Sequence, residues 1–281
     1  MELVKPADPA IVAVLRAVDG AAKTLGHEYC LVGATARDLL LVNALGLRPG
    51  RRTRDLDFGL ALETWDQFTA FKESMVAGGR FRADRRAAQR VYYADAKGAW
   101  ELPVDLIPFG PIASADGEIA WPPSRDVVLN VAGFDDALHS SVRIEIDRDL
   151  IVRVASLPGL TILKLFAWGD RGRENSKDAS DLYTLLSTYA DAGNLDRLYE
   201  EEADLLETAD FDLVLAGAQL LGRDVARVCD GRSLNRLEGI LDRAELVSQM
   251  NRVCDIFDEH PERSQILVDR FRRGMAEGRA T

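Results

Sequence analysis

Asp55 and Asp57 stand one residue apart in the short alternating run Arg54-Asp55-Leu56-Asp57-Phe58. On an extended strand this spacing sends both carboxylates to one side, while Leu56 and Phe58 turn the other way into a core. Two like charges so close repel unless a cation sits between them. The pair therefore predicts a divalent-metal site. Just upstream, Leu31-Val32-Gly33-Ala34-Thr35-Ala36-Arg37-Asp38 places a glycine between a strand and a helix. Backbone N–H groups and a helix start can hold phosphate at such a turn. Glycine is also used there for steric reasons alone.

Three further groups carry chemistry. Asp105, in Pro103-Val104-Asp105-Leu106-Ile107-Pro108, lies on the opposite side of a strand from Leu102, Val104 and Leu106. It is either an exposed-face residue or the third member of a triad with Asp55 and Asp57. Lys164 interrupts a helix at 160–168 that is apolar nearly all round, and it either snorkels to water or meets a phosphate. Asp178 and Asp181 are three apart near a helix start, so they share a face and gain from the helix dipole. Finally, Arg80, Arg82, Arg85, Arg86 and Arg90 form a basic cluster, and Arg48, Arg51, Arg52 and Arg54 flank the acid pair. These arginines are either a solvated face or contacts for RNA phosphates, with Tyr92, Tyr93 or Trp100 to stack a base.

Elements of both kinds must position these residues. Asp8-Pro9 starts a helix with Ile11, Val14, Leu15 and Val18 at helical spacing, ending near Gly26. Strands follow at 28–32 and 55–61, separated by a helix at 35–45 and an Arg- and Gly-rich loop at 46–53. Thr64 caps a helix to about residue 76, which Gly78-Gly79 ends. Residues 81–82, 90–94 and 100–107 read as a meander with a turn at 95–98, 110–123 as a loop, and 142–146 with 150–154 as a hairpin. Beyond Val154 to Pro158 the pattern becomes helical, with breaks near Asp210, Gly231 and Pro261. The expectation is an α+β fold in two domains, 1–155 and 156–281.

Composition bounds the partners. With 281 residues, 47% of them hydrophobic, the chain can build one large core or two modest ones. A net charge of −11 disfavours holding nucleic acid by the overall field, though a local basic patch could do so. Cys30, Cys229 and Cys254 are widely spaced and show no paired metal spacing, which suits a reducing, cytoplasmic location without structural zinc. Residues 1–10 have no signal-peptide pattern, and no apolar run approaches the length of a membrane span.

Taken in order, Gly33 in its turn, Asp55 with Asp57, Asp105, Lys164 and Lys177-Asp178-Ala179-Ser180-Asp181 resemble the polymerase-beta-like nucleotidyltransferase superfamily. The nearer likeness is to stand-alone nucleotidyltransferases related to the toxins of abortive-infection, type IV toxin–antitoxin systems, over roughly residues 25 to 190. The resemblance implies a nucleotidyltransferase-like mixed sheet flanked by helices, followed by a helical domain that contributes Lys164 and Asp178 to the cleft. It implies transfer of a nucleoside monophosphate from a nucleoside triphosphate to an acceptor hydroxyl, with two Mg2+ (or Mn2+) ions. Asp55 and Asp57 would be metal ligands, and Asp105 the third ligand or the general base. Gly33, Ala34, Thr35 and Arg37 would form the nucleotide-binding turn, Lys164 would neutralise the triphosphate, and Asp178 or Asp181 would orient the nucleotide or Lys164. The superfamily usually has Ser after the loop glycine; Ala34 stands there here, and Thr35 is the nearest hydroxyl. The segments at 32–38 and 54–58 also resemble the head of tRNA CCA-adding enzymes, without a counterpart of their nucleotide-selecting motif. The expected acceptor is RNA, with tRNA in view, and an antitoxin is an expected partner. The alternatives are a non-catalytic nucleotide-binding or antitoxin-partner module and an aminoglycoside-type small-molecule nucleotidyltransferase.

Overall fold

Asp8 caps helix α1 (Pro9–Leu25), its carboxylate accepting the Ala10 N–H at 2.8 Å, and Gly26 ends it in a left-handed conformation. This computed structural model describes residues 1–47, 55–94, 101–172, 176–254 and 262–279. Strand β1 (Glu28–Val32) runs directly into the short helix α2 (Gly33–Asp38), which continues as a π-helical turn over Leu39–Ala44. The sequence places that helix at 35–45, whereas it starts two residues earlier, at Gly33. Strand β2 (Leu56–Ala61) and helix α3 (Trp65–Ala77) follow, the latter started by a capping box between Thr64 and Gln67.

Strands β3 (Phe81–Ala83), β4 (Arg90–Ala94) and β5 (Glu101–Phe109) form the expected antiparallel meander. Strands β6 (Glu118–Ala120) and β7 (Val128–Asn130) make a separate two-stranded sheet, and α4 (Phe134–His139) follows it. The sequence alone reads 110–123 as loop. Three-residue strands are too short to show a period of two, so β6 leaves no readable pattern. Strands β8 (Val142–Asp147) and β9 (Leu150–Val154) form the hairpin.

The main sheet has seven strands in the order β3-β4-β5-β2-β1-β9-β8. It is mixed: β2 runs parallel to β5 and antiparallel to β1, and β1 is parallel to β9. Its core is made by Leu31, Leu56, Phe58, Leu60, Val104 and Leu106, all essentially inaccessible to water. The fold is thus α+β, with helices beside a mixed sheet.

The chain divides into two compact units, Met1–Ser156 and Leu157–Thr281. Among the described residues the second is built of helices: α5 (Leu157–Arg171), α6 (Lys177–Thr188), α7 (Leu195–Glu200), α8 (Ala203–Thr208), α9 (Leu213–Val228), α10 (Gly231–Leu241), α11 (Ala244–Cys254) and α12 (Arg263–Gly278). The break near Asp210 is a left-handed pair, Asp210 and Phe211, with φ of 51° and 62°. The break near Gly231 is the Asp230 cap of α10, and Pro261 lies outside the described residues. Among the described residues, no helix is long and apolar enough to cross a membrane.

Candidate active site

Pairing register assembles the acids. Val32 of β1 faces Asp57 of β2, Asp57 faces Asp105 of β5, and Asp105 faces Arg90 of β4. Register partners put their side chains on the same side of a sheet. Asp57, Asp105 and Arg90 therefore stand side by side on one face. Leu56, Phe58, Val104 and Leu106 are buried on the other, as the alternation predicts.

Gly33 adjoins this rung. Its φ is +73°, and a Cβ built on it would lie 2.2 Å from Asp57 Oδ2. The backbone of the turn rests directly against the carboxylate, so conformation and space both demand glycine. Ala34 and Thr35 are buried beside it. The Thr35 hydroxyl donates to the backbone carbonyl of Asp55 at 2.8 Å, tying the first turn of α2 to the start of β2. Arg37 is also buried and donates from Nε and Nη2 to Asp38 Oδ1 at 2.9 and 2.7 Å.

Asp105 already has a cation. Arg90 donates from Nε to Oδ1 and from Nη2 to Oδ2, each at 2.7 Å, a two-pronged pair of the strong kind. The hydrogen bond to Asp105 raises the Arg90 guanidinium further above its usual range, against partial burial; the charge of Asp105, then Tyr92 and the charge of Asp55, add to the rise. Among the described residues, no three His, Cys, Asp or Glu side chains form a group that could hold a metal ion. The donor chemistry nevertheless fits a hard divalent ion, because the candidates are all carboxylates. Asp55 and Asp57 are the candidate ligands in this arrangement, with Asp105 engaged by Arg90.

The basic cluster is largely committed. Arg82 forms a two-pronged ion pair with Glu101 and lies 4.3 Å from the centre of the Tyr92 ring. Arg80 donates to the Tyr93 hydroxyl at 3.1 Å, and Tyr93 is buried against Phe81. Tyr93 is thus buried, while Tyr92 is half-buried with Arg82 over one face. Arg85 and Arg86 are exposed. Arg48, Arg51, Arg52, Arg54 and Trp100 lie outside the described residues.

In the helical unit, Lys164 does not snorkel. Its Nζ lies 3.0 Å from Asp178 Oδ1 and 2.6 Å from Asp181 Oδ2, and both acid side chains are 2% exposed, so the ammonium must offset two buried charges. Arg171 Nε meets the other oxygen of Asp178 at 2.9 Å. Burial would push the Asp178 carboxyl up; the charges of Lys164 and Arg171 outweigh it and hold that carboxyl below the usual range. The helical spacing makes Asp178 and Asp181 neighbours, and the fold gives both to one lysine.

The sequence marks Arg90 only as one of a cluster and gives Arg171 no role. No local spacing links Arg90 to Asp105, because cross-strand register alone makes them neighbours. Arg171, seven residues before Asp178, is the last residue of α5 and reaches across to α6.

No curated protein matches the sequence. Solved structures similar to this one include an antigenic nucleotidyltransferase-like protein from Paracoccidioides brasiliensis, at 15% identity and TM-score 0.45, covering 76% of this chain and 94% of that one. JHP933 from Helicobacter pylori is similar at 16% identity and TM-score 0.40, with 98% and 96% covered. ANT(2″)-Ia, solved in complex with adenylyl-2″-tobramycin, is similar at 14% identity and TM-score 0.38, with 71% and 95% covered. The sequence profile described as "Nucleotidyl transferase AbiEii toxin, Type IV TA system" matches residues 16–244. A match that spans both the acid-bearing sheet and most of the helical unit makes this chain a nucleotidyltransferase of the AbiEii toxin family.

Proposed function

We propose that the protein transfers a nucleoside monophosphate from a nucleoside triphosphate to an acceptor hydroxyl, with Asp55 and Asp57 holding Mg2+ or Mn2+, two ions in all. The observation that carries this reading is the register of Asp57 against Asp105, with the Gly33 backbone laid on the Asp57 carboxylate. Divalent ions held there would supply charge neutralisation at the triphosphate and at the attacking and leaving oxygens. Gly33 keeps the approach to Asp57 clear of any side chain. Asp105 serves as third ligand or takes the proton of the acceptor hydroxyl. Within the helical unit, the contacts of Lys164 with both Asp178 and Asp181 support a shared role for the two acids in positioning that lysine.

For the acceptor we favour RNA, with tRNA as its class, and for the partner an antitoxin, as membership of a type IV toxin–antitoxin family suggests. The exposed Arg85 and Arg86 are the members of the basic cluster that support an RNA contact. The test is incubation with labelled ATP, GTP, CTP or UTP and a total cellular RNA and protein extract. Label is expected in RNA, dependent on Mg2+ or Mn2+, and Asp55→Asn is expected to lower transfer on the order of 10^3-fold, about 4 kcal/mol of transition-state stabilisation. Label in protein or in a small hydroxylated molecule would redirect the acceptor assignment. A second reading, a non-catalytic nucleotide-binding or antitoxin-partner module, draws support from the capture of Asp105 by Arg90. Transfer that is absent, or unaffected by Asp55→Asn, would favour it.

A further inference from the structure

Arg90 sits on the same rung as the acids proposed to bind metal, and both of its prongs are on Asp105. The two side chains are partly shielded, Arg90 being 29% and Asp105 14% exposed. Screening by water is correspondingly weaker there than at the surface. Two cations cannot share this carboxylate without repelling each other. We propose that Arg90 is a built-in counter-cation that occupies Asp105 in the metal-free enzyme and must yield it when a divalent ion binds, so that ion capture and release of the guanidinium are one event. This rests on the reading of the site as a metal-dependent nucleotidyltransferase centre.

The surroundings of Arg90 supply a place for it to go. The guanidinium of Arg90 is bonded to Asp105, and the charge of Asp55 acts on it while its own charge acts on Asp84. Asp84 begins the turn before β4: its Oδ1 accepts the N–H groups of Arg86 and Ala87 at 2.6 and 3.0 Å, and its own N–H donates to the Arg90 carbonyl at 3.0 Å. Those N–H groups are the main reason the Asp84 carboxyl is pulled down to about 2. Asp84 follows β3 and its backbone is bonded to that of Arg90 across the strand pair, so it is the acid beside the end of β4 from which the guanidinium would leave Asp105. Arginine suits the role because its planar fork fills both oxygens of a carboxylate, which a lysine cannot do.

The experiment counts bound Mn2+ by electron paramagnetic resonance on the full chain, without nucleotide, for the wild type, Arg90→Gln and Arg90→Lys. Arg90→Gln is expected to bind Mn2+ roughly tenfold more tightly than the wild type, the worth of one charge-assisted pair, with Arg90→Lys between them. Mn2+ should also raise the melting temperature of Arg90→Gln more than that of the wild type. Adding Asp105→Asn to Arg90→Gln should abolish the gain, because the competition is for that carboxylate. Unchanged or weaker Mn2+ binding by Arg90→Gln, in protein that still melts cooperatively, overturns the proposal. Should the glutamine variant not fold, unchanged or weaker binding by Arg90→Lys overturns it in the same way. Wild-type protein that binds Mn2+ and transfers nucleotide, with affinity indifferent to Arg90, removes this proposal alone. Absence of both Mn2+ binding and transfer in the wild type removes the metal-dependent reading and this proposal together.

Discussion

Gly33 and Asp178 show how single residues are constrained here. At Gly33 the backbone is left-handed and a methyl group would enter the Asp57 carboxylate. Gly33→Ala is expected to cost about 1–2 kcal/mol from the backbone conformation alone. It should also displace Asp57, so transfer should fall more than stability does; urea titration beside a transfer assay separates the two. Asp178 is buried and held by Lys164 and Arg171. Asp178→Asn should cost about 3 kcal/mol near neutral pH, because it removes one carboxylate from a buried ion-pair network. The carboxyl is held below its ordinary range in the folded protein, so its contribution is present above the unfolded value and lost as pH falls through the folded one. The stability gap between wild type and Asp178→Asn should therefore be full at neutral pH and narrow below about pH 4. A gap that widens on acidification would contradict that direction.

Elements are readable where a local signal marks their ends. Asp8-Pro9, Gly26 and Thr64 identify the bounds of α1 and the start of α3 because caps satisfy backbone groups within a few residues. The Thr64 box is reciprocal: Gln67 N–H donates to the Thr64 hydroxyl, and the Gln67 side-chain carbonyl accepts from the Thr64 N–H, both at 3.3 Å. Thr64→Ala should cost about 1 kcal/mol by thermal denaturation. In the helical unit, α9 and α12 approach so closely that a Cβ at Gly274 would lie 1.9 Å from the Gln219 carbonyl oxygen. Gly274→Ala must push the two helices apart, and a loss of about 3 kcal/mol is expected in the same assay. Gly278, one turn on, is pressed against the same helix, but glycines spaced four apart in a helix do not by themselves say which backbone lies over them. The strands β6 and β7 leave no trace for another reason, their length being too short to show a period.

At the scale of the molecule, each unit closes over its own core, one built on the sheet and one on helices. Amide exchange in Asp178→Asn should accelerate in α5 and α6 while β1, β2 and β5 keep their protection, which mass-spectrometric exchange would show directly. The α+β class and the family likeness were legible in the chain, because alternation, capping and an ordered set of chemical residues are properties of sequence neighbours. By itself the sequence determined that Asp178 and Asp181 share a face of one helix; its alternation expects one side for Asp55 and Asp57 too, with Asp55 standing just before the first residue of β2. Only the tertiary structure decided that Asp105 stands beside Asp57, that Arg90 holds Asp105, and that Lys164 serves both helix acids. Those pairings depend on which strand lies next to which and in what register. Register is settled by burying Leu56, Phe58, Val104 and Leu106 together, a condition written over the whole sheet and in no single stretch of chain.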